Sequence, residues 1–186
     1  YQIKPVLKLC GLQHVGNSET KDHKPSAAYF GPLILPRGYD IAVELAGHNV
    51  VNITLYSRDA LNFQNLGRIA RENVKIVERF YKAFEVIVDE AKKYDLLLLP
   101  FRFVVSDIPL VVCELACSGS IVVTTPYSHV EKNATPNLVF LDLKQLKDPH
   151  VVKRLAQLSQ SLKVKPFFKI DWSKIAEELA KVIVSS

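Results

Sequence analysis

Short apolar runs alternate with amphipathic stretches along most of the chain, an alternation that predicts repeated strand–helix units. Strands are expected at Ala27–Leu33, Val50–Leu55, Val74–Val77, Asp95–Leu99, Ile121–Thr124 and Leu138–Leu141. The last two are apolar throughout with no polar alternation, the pattern of parallel strands covered on both faces. Helices are expected at Asp40–Ala46, within Ala60–Glu72, and at Tyr81–Lys93, Pro109–Cys117, Pro149–Leu162 and Trp172–Val184. Two of them carry a one-sided stripe at helical spacing: Phe84, Ile87, Val88 and Ala91 in one, Ile175, Leu179, Val182 and Ile183 in the other. Parallel neighbours cannot be joined by tight hairpins, so the expected fold class is α/β: a Rossmann-like, doubly wound parallel sheet flanked by helices. Residues 1–25 mix Gly11, Gly16, Asn17 and Ser18 with polar side chains and hold no sustained period. They read as a linker ahead of one domain over residues 26–186.

Sheets of this kind bind ligands at the carboxyl ends of their strands, which directs attention to the residues after Leu33, Leu55, Val77, Leu99 and Thr124. Glu114 stands out because Val111, Val112, Cys113, Leu115, Ala116 and Cys117 surround it in a helix that otherwise favours burial. An unpaired buried carboxylate costs on the order of several kcal/mol, so Glu114 must face solvent, a cation or a polar ligand. Its helix opens after Ser106 and Asp107, whose oxygens can accept from first-turn N–H groups, while Pro109 suits an early helical position and Gly119 a stop. The free N–H groups and dipole of such a start attract phosphate. Gly31 permits close backbone approach, and Arg37 followed by Gly38 sets a permanent cation beside a flexible residue, fit for a bidentate grip on phosphate. The plainer alternatives stay open: a solvated Arg in an ordinary turn, and a Glu114 paired with a neighbouring Lys. Gly31 to Gly38 carries neither the G-x-G-x-x-G pattern nor a G-K-[ST] ending.

Composition narrows the classes further. At 186 residues and 48% hydrophobic, the chain suits one well-packed core. A net charge of +5 favours anionic partners such as nucleotide diphosphates, nucleic acid or acidic lipid headgroups. The basic residues are dispersed rather than interleaved with aromatics, which argues for no nucleic acid and leaves a peripheral membrane contact open. The apolar run Leu96–Leu99 is far shorter than a membrane span, and no signal-peptide pattern opens the chain, so a soluble, cytoplasmic protein is expected. The absence of an initiator Met fits a trimmed or excised piece. Of three cysteines, Cys113 and Cys117 have helix-face spacing and read as small core residues in a reducing compartment.

The run from Leu97 to Pro126, LLLPFRFVVSDIPLVVCELACSGSIVVTTP, resembles the signature of retaining GT-B glycosyltransferases of the group 1 family, in whose register Pro109, Leu110, Val111, Glu114, Gly119, Val122 and Val123 fall. The segment YFGPLILPRGYDIAVELA, Tyr29 to Ala46, is similar to the same family's opening strand and helix. Asp171, Trp172 and Ile175 resemble its closing helix. The resemblance implies the donor-binding half of such an enzyme, taking a UDP- or GDP-sugar without a required metal. It implies that Glu114 binds the donor ribose, that Arg37 contacts the diphosphate and that Gly31 passes close to the donor. The acceptor would be held by an N-terminal domain missing here. The chain departs from the family at Ser106, with Asp107 after it, where the first acid of the family's pair belongs, and at Pro32, where a phosphate-binding Arg belongs. A noncatalytic relative, serving sugar-nucleotide sensing or protein interaction, is the alternative that these departures leave.

Overall fold

A computed structural model describes residues 24–58, 72–77, 84–103, 109–126 and 137–161. The apolar runs form β1 (Ser26–Phe30), β2 (Asn52–Tyr56), β3 (Val74–Val77), β4 (Leu96–Leu99), β5 (Ile121–Thr124) and β6 (Leu138–Phe140). All neighbours pair parallel, in the order β3-β2-β1-β4-β5-β6. Between the strands lie α1 (Tyr39–Gly47), α2 (Phe84–Ala91) and α3 (Leu110–Ala116), and α4 (Leu143–Lys147) and α5 (Pro149–Ser161) follow β6. The α/β, Rossmann-like architecture is the expected one.

Successive strand residues point to opposite faces, and each face buries its own cluster. Ala27, Tyr29, Ile53, Leu55, Leu96, Leu98 and Val123 pack with Ile41, Leu45, Leu146, Val152 and Leu155 of α1, α4 and α5. Ala28, Phe30, Leu97, Leu99 and Val122 pack on the other side with Ala91, Val112, Leu115 and Ala116 of α2 and α3. Every residue of β4 is fully buried, and each such Leu contributes roughly 1.5–3 kcal/mol over leaving it exposed. That double burial explains the unbroken LLLL.

The local differences from expectation have physical causes. β1 ends at Phe30 rather than Leu33, because Gly31 has φ +153° and Pro32 has no N–H for the ladder. Gly31 still donates to Tyr56 O at 3.0 Å before the chain turns away into a 3-10 turn, Leu35–Arg37. α3 covers Leu110–Ala116, with Pro109 as its N-cap residue, and Gly119 at φ +81° follows its end. α4 was not expected, yet its capping box is legible as Asp142 followed by Gln145. Asp142 Oδ1 accepts from Gln145 N at 2.7 Å and Gln145 Oε1 accepts from Asp142 N at 3.1 Å. Cys117 is buried as expected, but Cys113 is only half-buried, with its thiol pKa raised chiefly by desolvation. Of residues 1–25, Lys24 and Pro25 already belong to the sheet's edge: Pro25 O accepts from Asn52 N at 2.8 Å, and Lys24 Nζ donates to Asn73 Oδ1 at 2.7 Å. The remainder of that segment, the helix expected within Ala60–Glu72, the closing helix Trp172–Val184, and Ser106 and Asp107 lie outside the described residues. Among the described residues no helix is long and apolar enough to cross a membrane.

Candidate functional site

The strand order places a topological switch between β1 and β4: the chain runs outward through β2 and β3 on one side and through β5 and β6 on the other. Connections leave β1 and β4 in opposite directions there, so a crevice opens beyond their carboxyl ends. A cleft of about 510 Å³ occupies that place. Gly31 and Pro32 line it from the exit of β1, Ser57 and Arg58 from the exit of β2, Phe101 from beyond β4, and Leu110, Val111 and Glu114 from α3. Arg37 reaches it from the 3-10 turn.

Glu114 reaches the cleft because Val112, Leu115 and Ala116 turn inward, leaving Val111 and Glu114, three apart, on the opposite stripe. Its carboxyl is held above the ordinary 4.5 by desolvation, and the nearby positive charge of Arg58 opposes that rise. The Lys partner weighed for it from the sequence is absent among the described residues.

Arg37 is set by its neighbours. Its guanidinium lies over the Phe101 ring, 5.2 Å from the centroid, a cation–π contact that orients the group without using up its hydrogen-bond donors. Gly38 has φ +75°, and a Cβ there would collide with Pro100 O, so the turn bearing Arg37 can cross the β4 exit only with glycine. Gly31 lines the same cleft as Arg37, and a Cβ on it would lie 3.3 Å from the Tyr29 hydroxyl. That hydroxyl donates to Pro32 O at 2.7 Å, and burial pushes its pKa well up.

The structure brings Gly31, Arg37 and Glu114 to the lining of one cleft. Pro32 lies in the same wall and contributes no charge. Arg58 and Phe101 line the cleft too and carry no local signal of their own, although both follow strands, β2 and β4, whose exits the sequence singles out. Among the described residues no three His, Cys, Asp or Glu side chains gather as a metal site.

No protein-family model matches the chain, and no curated protein matches it in sequence. Solved structures do match it. HepE of Anabaena, in complex with UDP-glucose, superposes with a TM-score of 0.57 at 15% identity over 88% of this chain and 50% of its own. The same protein with UDP gives 0.57 at 16%, over 87% and 49%. AviGT4, a glycosyltransferase involved in avilamycin A biosynthesis, gives 0.55 at 13%, over 90% and 54%. The fold is that of one half of these chains. The chain spans about half their length.

Proposed function

We propose that this chain is the donor-binding half of a glycosyltransferase and that its cleft takes a nucleotide diphosphate sugar, with UDP and GDP the candidate carriers. The observation that carries the reading is the meeting of two guanidinium groups, Arg37 and Arg58, with one partly desolvated carboxylate, Glu114, at the switch point of the sheet. The cations suit a diphosphate and the carboxylate suits a ribose diol. The fold shared with chains whose structures hold UDP or UDP-glucose supports the same reading.

In this reading the transfer retains configuration. The bond from the anomeric carbon to the diphosphate breaks, charge builds on the departing diphosphate, and an acceptor hydroxyl oxygen forms the new bond as its proton passes to that leaving group. Arg37 and Arg58 stabilise that charge electrostatically without a required metal. Ser106 and Asp107, at the first-acid position of the resembled family, are the residues assigned to the transferred sugar. The acceptor comes from a facing domain, so the chain alone binds donor and transfers nothing; without that domain the orientation of acceptor against donor is lost. Calorimetric titration with UDP, GDP and their sugars tests the reading. Binding by at least one is expected, and no binding at millimolar concentration overturns it. A donor assay on this chain and on the chain joined to its natural N-terminal half tests the division of labour, which robust transfer by the chain alone would refute.

Pro32 favours a second reading, a noncatalytic module that senses sugar nucleotides or binds protein. It presents an uncharged wall where the resembled family has a phosphate-binding Arg. A large gain in donor affinity on restoring Pro32→Arg and Ser106→Glu together supports a degenerate site. No gain supports a donor geometry of this chain's own.

A further inference from the structure

The turn that carries Arg37 is tied to the segment leaving β4. Arg102 N and Phe103 N both donate to Pro36 O, at 2.9 and 3.2 Å, and Arg102 Nη1 donates to Leu35 O at 3.1 Å. The same guanidinium closes on Asp40: Nη2 donates to Oδ2 at 2.6 Å and Nη1 to Oδ1. Asp40 stands three residues after Arg37, in the first turn of α1. The charges of Arg37 and Asp40 reach one common point, the Tyr29 hydroxyl, where they act in opposite directions. Arg37 itself has no carboxylate partner among the described residues. Neither Arg102 nor Asp40 lines the cleft.

We propose that Arg102 is a positioning residue: by holding both oxygens of Asp40, it keeps that carboxylate off Arg37 and leaves the Arg37 guanidinium available to an anion in the cleft. The proposal rests on reading the cleft as a phosphate site. A carboxylate and a phosphate compete for the same planar fork of donors. A competitor on the same short stretch of chain has an effective concentration in the millimolar range or above, so it outcompetes a dilute ligand unless it is engaged elsewhere. The fork of Arg102 uses both Asp40 oxygens and so removes the competitor without entering the cleft.

The test uses the full chain, inorganic pyrophosphate as probe, and the variants Arg102→Gln, Asp40→Asn and the two combined. Arg102→Gln is expected to weaken pyrophosphate about tenfold, the scale of one charged hydrogen-bonding partner withdrawn. The combined variant, which lacks the ion pair altogether, is expected to return to within about twofold of the parent, because the competitor has gone. A combined variant as weak as Arg102→Gln would show that Arg102 acts only by bracing the turn, and would overturn the proposal. An unchanged affinity in Arg102→Gln would also overturn it. If the parent chain binds no pyrophosphate, the phosphate-site reading falls by itself. The positioning claim is then decided in the ligand-free protein by the NMR signal of the Arg37 Nε–H group. That signal should shift in Arg102→Gln and return in the combined variant, and a signal that never moves refutes the claim.

Discussion

The amino and carboxyl edges of the sheet use polar residues in opposite ways. At the amino edge they satisfy one another. Asp95 accepts from Ser26 N and Ser26 Oγ at 2.8 and 2.9 Å, and Ser159 donates to its backbone oxygen. Asn73 accepts from Lys24 and donates to Ala46 O at 3.2 Å, and the fully buried Asn137 donates to Ala116 O and Ser120 O at 2.8 and 2.9 Å. At the carboxyl edge, Thr124 and Thr125 seal the β5 exit by donating to Leu99 O and Phe101 O. Beside them, Arg37 from the turn after β1, Arg58 from the β2 exit and Glu114 from α3 line an open cleft. A polar group whose hydrogen bonds are closed within the fold holds the fold. A charged group brought to a crevice at a topological switch is placed for a ligand.

Substitutions at the two edges should therefore separate stability from binding. The largest effect is expected at Gly38, where the carboxyl edge itself depends on backbone geometry. Gly38→Ala combines a φ of +75° with a collision against Pro100 O, and urea denaturation should register a loss of about 3 kcal/mol or more. A loss under about 1 kcal/mol would mean that the turn can leave the β4 exit cheaply. At the amino edge, Asn137→Ala removes a buried side-chain bond to Ala116 O and a part-buried one to Ser120 O and should cost about 2–3 kcal/mol of stability. Nucleotide affinity of the folded fraction should not change, and a joint loss of both would blur the contrast.

Arg37→Ala should do the reverse. Diphosphate affinity is expected to fall by roughly 1.5–3 kcal/mol, nucleoside affinity much less, and stability to stay within about 0.5 kcal/mol. Equal losses for nucleotide and nucleoside would place Arg37 away from the phosphates. The smallest effect is at Glu114. Its pKa is raised in the folded protein, so the folded state binds the proton more tightly than the unfolded chain. Stability from this group is then greatest below the unfolded value near 4.5 and falls as pH rises through the higher folded value. Glu114→Gln should accordingly add about a few tenths of a kcal/mol at pH 7, a gain kept small by partial solvent screening, and nothing at pH 4. A destabilised Glu114→Gln at pH 7 would mean that the carboxylate is held by the fold, as the amino-edge residues are.

Much of this architecture was written in local order. The runs at β4 and β5 could be read from their mostly apolar residues, and α2 from its one-sided stripe, because period and burial go together in a covered parallel sheet. Gly31, Arg37 and Glu114 were legible for a different reason: each breaks a local pattern, by lacking a side chain, by following an apolar run with a cation, or by interrupting a buried helix face. α4 was missed although its capping box was present, because a five-residue helix offers too few positions for a period to show.

What the chain order could not decide was adjacency. Nothing local says that β1 pairs with both β2 and β4, yet that pairing makes the switch point and brings Arg58 and Phe101 to the same cleft as Arg37 and Glu114. The grip of Arg102 on Asp40 spans 62 residues, and the closeness of Gly38 to Pro100 is likewise long-range. Periodicity reports which face of an element is buried. Which elements face one another follows from how the whole sheet closes its two cores, and that packing alone brought scattered polar residues to the lining of one cleft.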